Sequence, residues 1–282
     1  MAKHLMSTAQ DGEFEYDLVL NWKPVAACNF KCDYCNVWRK AAARATQTHW
    51  TLDDVRRMAA DVYDKHGLIR WQLGGPEVTQ RLDIIEALTE HHIASASTNL
   101  SFDPALLQRL VPPERVYFAS SFHPTQMPID KFISAWRALH EAGYHVGSAS
   151  IVAWPPLLTR LQGWAAKLTD AGVPVVLHKF NGLYQGHRYP AAYTEDELAT
   201  IGAAKAQRIT TPDAGYSGYC AAGHVFAVVM PNGDVKRCPG SCTNYGNVFD
   251  GTMALDARPT MCAGTKCPCN HLQALRVPNA ER

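Results

Sequence analysis

Cys28, Cys32 and Cys35 fall in one short run, Cys28-Asn29-Phe30-Lys31-Cys32-Asp33-Tyr34-Cys35, spaced C-x3-C-x2-C. A closed structural zinc site takes four ligands, usually in two pairs, and neither a histidine nor a fourth cysteine stands near this run. Three closely spaced thiolates suit a 4Fe-4S cluster with three irons held by protein and one left open. An open iron can take a small ligand and pass it an electron. Tyr34, just before the third cysteine, brings an aromatic ring to where such a ligand would pack. The alternative is three buried or zinc-bound cysteines that share this spacing by chance.

The chain holds nine cysteines, an odd number that does not close a disulfide framework. In a reducing cytoplasm metal ligation is their expected use. The other six come late, at Cys220, Cys238, Cys242, Cys262, Cys267 and Cys269, so the pattern is one of two sites. A net charge of +1 over 282 residues gives no electrostatic case for nucleic acid or an anionic membrane surface. No apolar run reaches membrane-helix length, and Met1 to Asp17 lacks the apolar core of a signal peptide. The expected location is cytoplasmic.

The elements that must position the cysteines alternate. Residues 16–22 read as a first strand, with the cysteine loop directly behind it. Thr51-Leu52-Asp53-Asp54 is a helix start for 51–66. Strand 68–73, helix 81–91, strand 93–98, helix 103–110, strand 115–121, helix 130–142, strand 145–153, helix 158–171 and strand 173–180 follow. This cadence predicts a parallel sheet of βα units, six of them between residue 16 and about 205. A full eight-unit barrel needs roughly 250 residues, so a partial TIM-type (β/α)6 barrel fits better. Its chemistry would sit in the loops after the strands, where the Cys28 loop falls.

The cysteine run resembles the C-x3-C-x-aromatic-C signature of the radical S-adenosylmethionine (SAM) superfamily. The resemblance implies a cluster whose open iron chelates SAM, and reductive cleavage to a 5′-deoxyadenosyl radical that abstracts hydrogen. It also implies an α/β partial barrel with the cluster at its open top. Gly74-Gly75-Pro76-Glu77 resembles the family's Gly-Gly-Glu-Pro element, whose backbone approaches the SAM amino group. Pro and Glu are transposed here, so the role carries over to Gly74 and Gly75 alone. By the same resemblance Ser97 and Asn99, ending the third strand, and Ser121, in a Ser-x-His-Pro element, are SAM contacts. Ser150, on the fifth strand, is placed under the adenine. His123 and Lys179 are the candidate catalytic side chains. Asn181, Tyr184, Gln185 and Arg188, in the polar run behind the sixth strand, are candidate substrate contacts.

Val225 to Met230, Pro231-Asn232-Gly233-Asp234 and Val235 to Arg237 form a predicted β-hairpin, since Asn-Gly between β segments is a strong turn signal. It draws Cys220 and Cys238 toward one end. This stretch resembles the opening of the SPASM and shorter Twitch extensions of radical SAM enzymes, which hold auxiliary 4Fe-4S clusters. The rest of the SPASM pattern is missing, which implies one auxiliary cluster. Two of Cys262, Cys267 and Cys269 would complete its ligands, with Cys242 spare; a zinc ribbon on the same cysteines is the alternative. The expected organisation is an extension over 1–15, the barrel over 16–205, and a small cysteine-rich Twitch-like domain over 206–282.

The leading expectation is hydrogen abstraction from a small polar metabolite such as a cyclitol or sugar, with flavodoxin or ferredoxin as electron donor. Only about fifteen residues precede the first strand, which ranks peptide modification second, because peptide-modifying relatives usually carry a leader-binding domain. A metal-binding scaffold without catalysis is the reading from another class.

Overall fold

The computed structural model describes residues 16–35, 50–202, 218–262 and 275–277. Its first helix begins as the sequence dictates. The Thr51 hydroxyl accepts the Asp54 N–H at 3.2 Å, and the Asp54 carboxylate accepts the Thr51 N–H at 2.7 Å, a reciprocal cap. Helix α1 (Leu52–His66) then buries Val55, Met58, Ala59 and Val62, one face at helical spacing. Gly67 ends it at φ +67°, a conformation that favours glycine.

The other elements alternate with strands. Strand β1 (Val19–Trp22) precedes α1, and β2 (Arg70–Leu73), α2 (Leu82–Thr89), β3 (Ile93–Thr98), α3 (Pro104–Leu110), β4 (Val116–Ser120) and α4 (Ile129–Glu141) follow. Strands β1 to β4 pair in parallel and in sequence order. The stretch 145–153 departs from the single strand expected of it. It divides into β5 (His145–Val146), paired with β4, and β6 (Ala149–Ala153). At the break the Ser120 hydroxyl donates to the carbonyls of Gly147 and Ser148, and the Trp136 indole also donates to Gly147. Those carbonyls are thereby taken out of strand pairing, and the chain changes partner. After helix α5 (Leu158–Asp170), β6 pairs in parallel with β7 (Val175–Lys179), and a single Ser121–Ser150 bridge links this pair to the strand-four end.

A hairpin, β8 (Gly182–Tyr184) with β9 (His187–Tyr189), turns at Gln185 and Gly186, both at positive φ. Helix α6 (Glu195–Thr200) follows, then β10 (Tyr219–Cys220), β11 (Phe226–Val229), β12 (Asp234–Lys236), β13 (Asn244–Asn247) and β14 (Thr260–Met261). The expected hairpin is present as β11 and β12, antiparallel. Strand β11 also lies parallel against β1, with Val19 opposite Phe226 and Trp22 opposite Val229. The late hairpin therefore extends the main sheet, and Ala227, Val229 and Val235 share one apolar cluster with Leu20 and Trp22. The boundary expected near 206–219 falls largely outside the described residues, as do 1–15, Cys267 and Cys269.

Side chains alternate across a strand, so register sorts the sheet into two faces. Leu20, Trp22, Trp71, Leu73, Ala94, Ala96, Val116, Phe118, Ala149 and Ile151 form one cluster with helix residues including Met58, Ile85, Phe132 and Leu161. The opposite face is graded. Val19, Ile93, Tyr117, Phe226 and Val228 close its lower end with Ala221, Ala222 and Leu275. Asn21, Gln72 and Ser95 share a register row with Val228 and Tyr117; above that row come Ser97 and Ala119, then Ser150 and, one pleat on, Val152 with its partner His178. Among the described residues no helix is long and apolar enough to cross a membrane.

Candidate active site

At the upper end of this face lies a cavity of about 200 Å³, bordered by Cys28, Cys32 and Cys35 on one side. Phe30, Gly75, Pro76, Glu77, Ser97, Thr98, Asn99, Ser121 and His123 complete the rim. Five sequence-predicted contacts thus meet the three cysteines. Tyr34, Gly74 and Ser150 do not border the cavity.

The cysteine loop is held by side chains from the ends of β3 and β4. The Asn99 amide donates to Asn29 at 3.1 Å, and Asn29 donates to the Ser101 hydroxyl at 2.7 Å. The Lys31 N–H donates to the Gln126 carbonyl at 3.0 Å. Tyr34 stacks on His123 with 6.0 Å between ring centroids, its hydroxyl 3.0 Å from His123 Nδ1. Trp154 packs against Tyr34 and in turn against Tyr184. Asn29, Gln126 and Trp154 were not singled out from sequence; their significance is purely spatial.

Burial sets the electrostatics. It pushes the Cys28 thiol up and the Cys32 thiol to about 12, so without a cation both hold their protons at neutral pH. A bound metal reverses this, because its charge favours the thiolate. The Phe30 N–H already donates to Cys28 Sγ at 3.3 Å. Among the described residues no three His, Cys, Asp or Glu side chains converge as a ready-made metal group, and the three thiols border the cavity instead. Soft donors, three in number, on one wall of an open space fit an iron–sulfur cluster with a free iron.

Burial also lowers His123 to about 4. At neutral pH it is an uncharged partner for Tyr34 and a poor proton acceptor, which weakens the expectation of a catalytic base. Lys179 is not brought to the cavity. It pairs across from Ala153, on the face opposite Ser150 and His178. Its neighbour His178 lies on the polar face, with Nε2 3.2 Å from the Ser150 hydroxyl. Asn181, Gln185 and Arg188 are exposed around the β8–β9 hairpin, and Tyr184 reaches the site only through Trp154.

The glycine pair divides in function. The Gly74 N–H continues the sheet by donating to Trp22 at 3.0 Å, and a Cβ there would meet only the Lys23 side chain. Gly75 has φ +127°, and a Cβ would sit 3.1 Å from the Val25 carbonyl oxygen, so the backbone itself demands glycine. Glu77 is 1% exposed, and burial pushes its carboxyl up against the pull of hydrogen bonds from Thr79 and the Asn99 N–H.

A second cysteine set lies at the other end of β1. Cys220 and Cys238 pack against the lower apolar cluster. Cys220 Sγ accepts the Ala222 N–H at 3.5 Å, the same i+2 geometry as Cys28 and Phe30. Cys238 is raised by burial, helped by Gly240 in the other direction, and is further raised by the nearby charges of Cys220 and Cys262. Arg237 fastens the surroundings, donating to the carbonyls of Cys220, Thr260 and Met261. Cys242 is exposed.

No protein-family model matches the chain. It is similar to mycofactocin maturase MftC of Mycolicibacterium smegmatis, 23% identical over 92% of this chain and 77% of that protein. MftC of Mycobacterium ulcerans is 25% identical over 80% of this chain and 70% of its own length. Among solved structures, native anSMEcpe with bound AdoMet shares the fold at a TM-score of 0.57 and 15% identity, covering 84% of this chain and 79% of that one. The cysteine run on the rim of the cavity and these relatives across most of the chain's length support a radical SAM enzyme.

Proposed function

We propose that the protein is a radical SAM maturase, which modifies a peptide by hydrogen abstraction. The observation that carries the reading is the convergence of Cys28, Cys32 and Cys35 on one cavity with Gly75, Ser97, Asn99 and Ser121. A reduced 4Fe-4S cluster with SAM bound supplies a 5′-deoxyadenosyl radical that takes a hydrogen atom from the substrate. Cys28, Cys32 and Cys35 would hold that cluster. Gly75 lets the backbone approach the amino end of SAM, and Ser97, Asn99 and Ser121 offer hydrogen bonds to its polar groups. Tyr34 and His123 act as a wall behind the cysteine loop, fixing its distance from β4. In this reading β1 to β4, β5/β6 and β7 make up a six-strand partial barrel with the cavity at its mouth.

Cys220, Cys238 and Cys262 hold an auxiliary 4Fe-4S cluster in a Twitch-like region, with a fourth ligand from Cys267 or Cys269. A flavodoxin or ferredoxin supplies the first electron. The substrate expectation changes. Both curated relatives are maturases, and the anSMEcpe fold has been solved with AdoMet and the Kp18Cys peptide, whereas nothing favours a small polar metabolite such as a cyclitol.

The test is to synthesise the peptide encoded by the nearest short reading frame beside the gene and incubate it anaerobically with reconstituted enzyme, SAM and a strong reductant. A SAM-dependent change of peptide mass is expected. An unchanged peptide, with a cyclitol oxidised under the same conditions, would overturn the substrate assignment.

A further inference from the structure

Glu77 is a buried carboxylate whose partners are all donors. Thr79 gives its hydroxyl to Oε1 at 2.5 Å, and Asn99 gives its N–H to Oε2 at 2.8 Å. The Thr98 hydroxyl lies 3.3 Å from that of Thr79, also hydrogen-bonds toward Glu77, and accepts the Leu100 N–H at 3.0 Å. The hydrogen bonds converge on the buried Glu77 carboxylate. Burying an anion in this way is costly unless its hydrogen bonds are complete, so the arrangement needs a reason.

The reason lies at the tip of β3. Asn99 and Leu100 have their N–H groups captured in succession, by Glu77 and by Thr98, and Leu100 is held at φ +56°, a conformation unusual for leucine. That turn directs the Asn99 side chain to Asn29, beside Cys28, and Asn29 to Ser101. Thr98, Asn99 and Glu77 all border the cavity. We propose that Glu77 is a positioning residue: it braces the tip of β3 against the Gly75 turn and, through Asn99 and Asn29, against the cysteine loop, so that SAM meets a cavity already shaped. The transposition of Pro76 and Glu77 puts the carboxylate one residue later in the turn, where it caps Thr79.

The inference rests on SAM binding at this cavity, and its test separates the two. Glu77→Gln keeps the shape but has one acceptor atom, so an amide N–H must face either Asn99 or Thr79. In reconstituted protein the SAM Kd, by calorimetry, is expected to rise about tenfold or more, the loss of a hydrogen bond to a charged group. Iron content stays at the wild-type level. At saturating SAM the rate of 5′-deoxyadenosine formation returns to within about twofold of wild type, because KM carries the change. In the SAM-free protein, amide hydrogen exchange over residues 98–101 is expected to quicken. Thr79→Val, which removes one arm, gives a smaller rise of about threefold by the same reasoning. Wild-type exchange and wild-type Kd in Glu77→Gln would overturn the proposal, as would a lowered kcat at unchanged KM. Should Glu77→Gln fail to fold, an unchanged Kd and exchange in Thr79→Val would overturn it equally. Wild-type protein that binds no SAM would sink the cavity assignment, and the exchange measurement would still decide the brace.

Discussion

Strand β1 has cysteines at both ends, and their settings are opposite. Above it, Cys28, Cys32 and Cys35 border a cavity whose other walls are hydroxyls, amides and backbone, and polar side chains from two neighbouring loops hold them. Below it, Cys220 and Cys238 pack against Tyr16, Val19, Phe226 and their apolar neighbours, and Arg237 locks the backbone around them. A metal that must admit a ligand needs the first setting. A metal that exchanges only electrons needs no such opening, and the apolar neighbours and hydrogen bonds around it tune its potential. The comparison teaches that cysteine number alone does not separate the two roles, whereas what covers each set does.

The largest effect should come from removing either set. Replacing Cys28, Cys32 and Cys35 by alanine should cut 5′-deoxyadenosine formation by at least about 100-fold, since ligand loss removes the metal itself. Replacing Cys220 and Cys238 should leave SAM cleavage measurable while lowering iron content and thermal stability together. Equal loss in both variants would break the comparison.

Gly75→Ala comes next. The positive φ and the nearby Val25 carbonyl should cost about 1–3 kcal/mol of stability, read as a lower melting temperature, together with weaker SAM binding. Gly74 is the less informative neighbour: Gly74→Pro would delete the N–H that pairs with Trp22, confounding sheet damage with ligand loss.

Acid should separate the regions more gently. His123 and His92 are both held near 4 by burial, below the ordinary histidine value, so the unfolded chain takes up protons that the fold refuses. Their contribution is complete above about pH 6.5 and declines as pH falls toward about 4. Melting temperature should fall across that window, and His123→Asn should flatten the slope. The smallest effect belongs to Cys242→Ser. That side chain is exposed, and iron content should not change, whereas Cys262→Ser should lower it.

Much of the upper site was legible because it is local. The cysteine loop, the two glycines and the serines at strand ends each announce themselves within a few residues, and helical spacing located α1, α4 and α5 closely. What escaped was set by distant partners. The break at Gly147 depends on a hydroxyl from Ser120, and the docking of β11 on β1 depends on a strand some two hundred residues earlier. Lys179 misses the polar face and His178 meets it because strand parity is not visible in a sequence: one residue of register decides which side chain faces the site. Glu77 escaped for a similar reason, since its acceptors serve backbone groups at Asn99 that no spacing rule connects to it.

One measurement tests the division of labour most directly. Wild type, the Cys28/Cys32/Cys35 triple alanine variant and the Cys220/Cys238 double alanine variant are reconstituted without oxygen, and 5′-deoxyadenosine is quantified with SAM and a strong reductant. The account predicts product from wild type and from the double variant, and none from the triple variant. Product from the triple variant, or a wild type that retains zinc and takes up no iron, would contradict it.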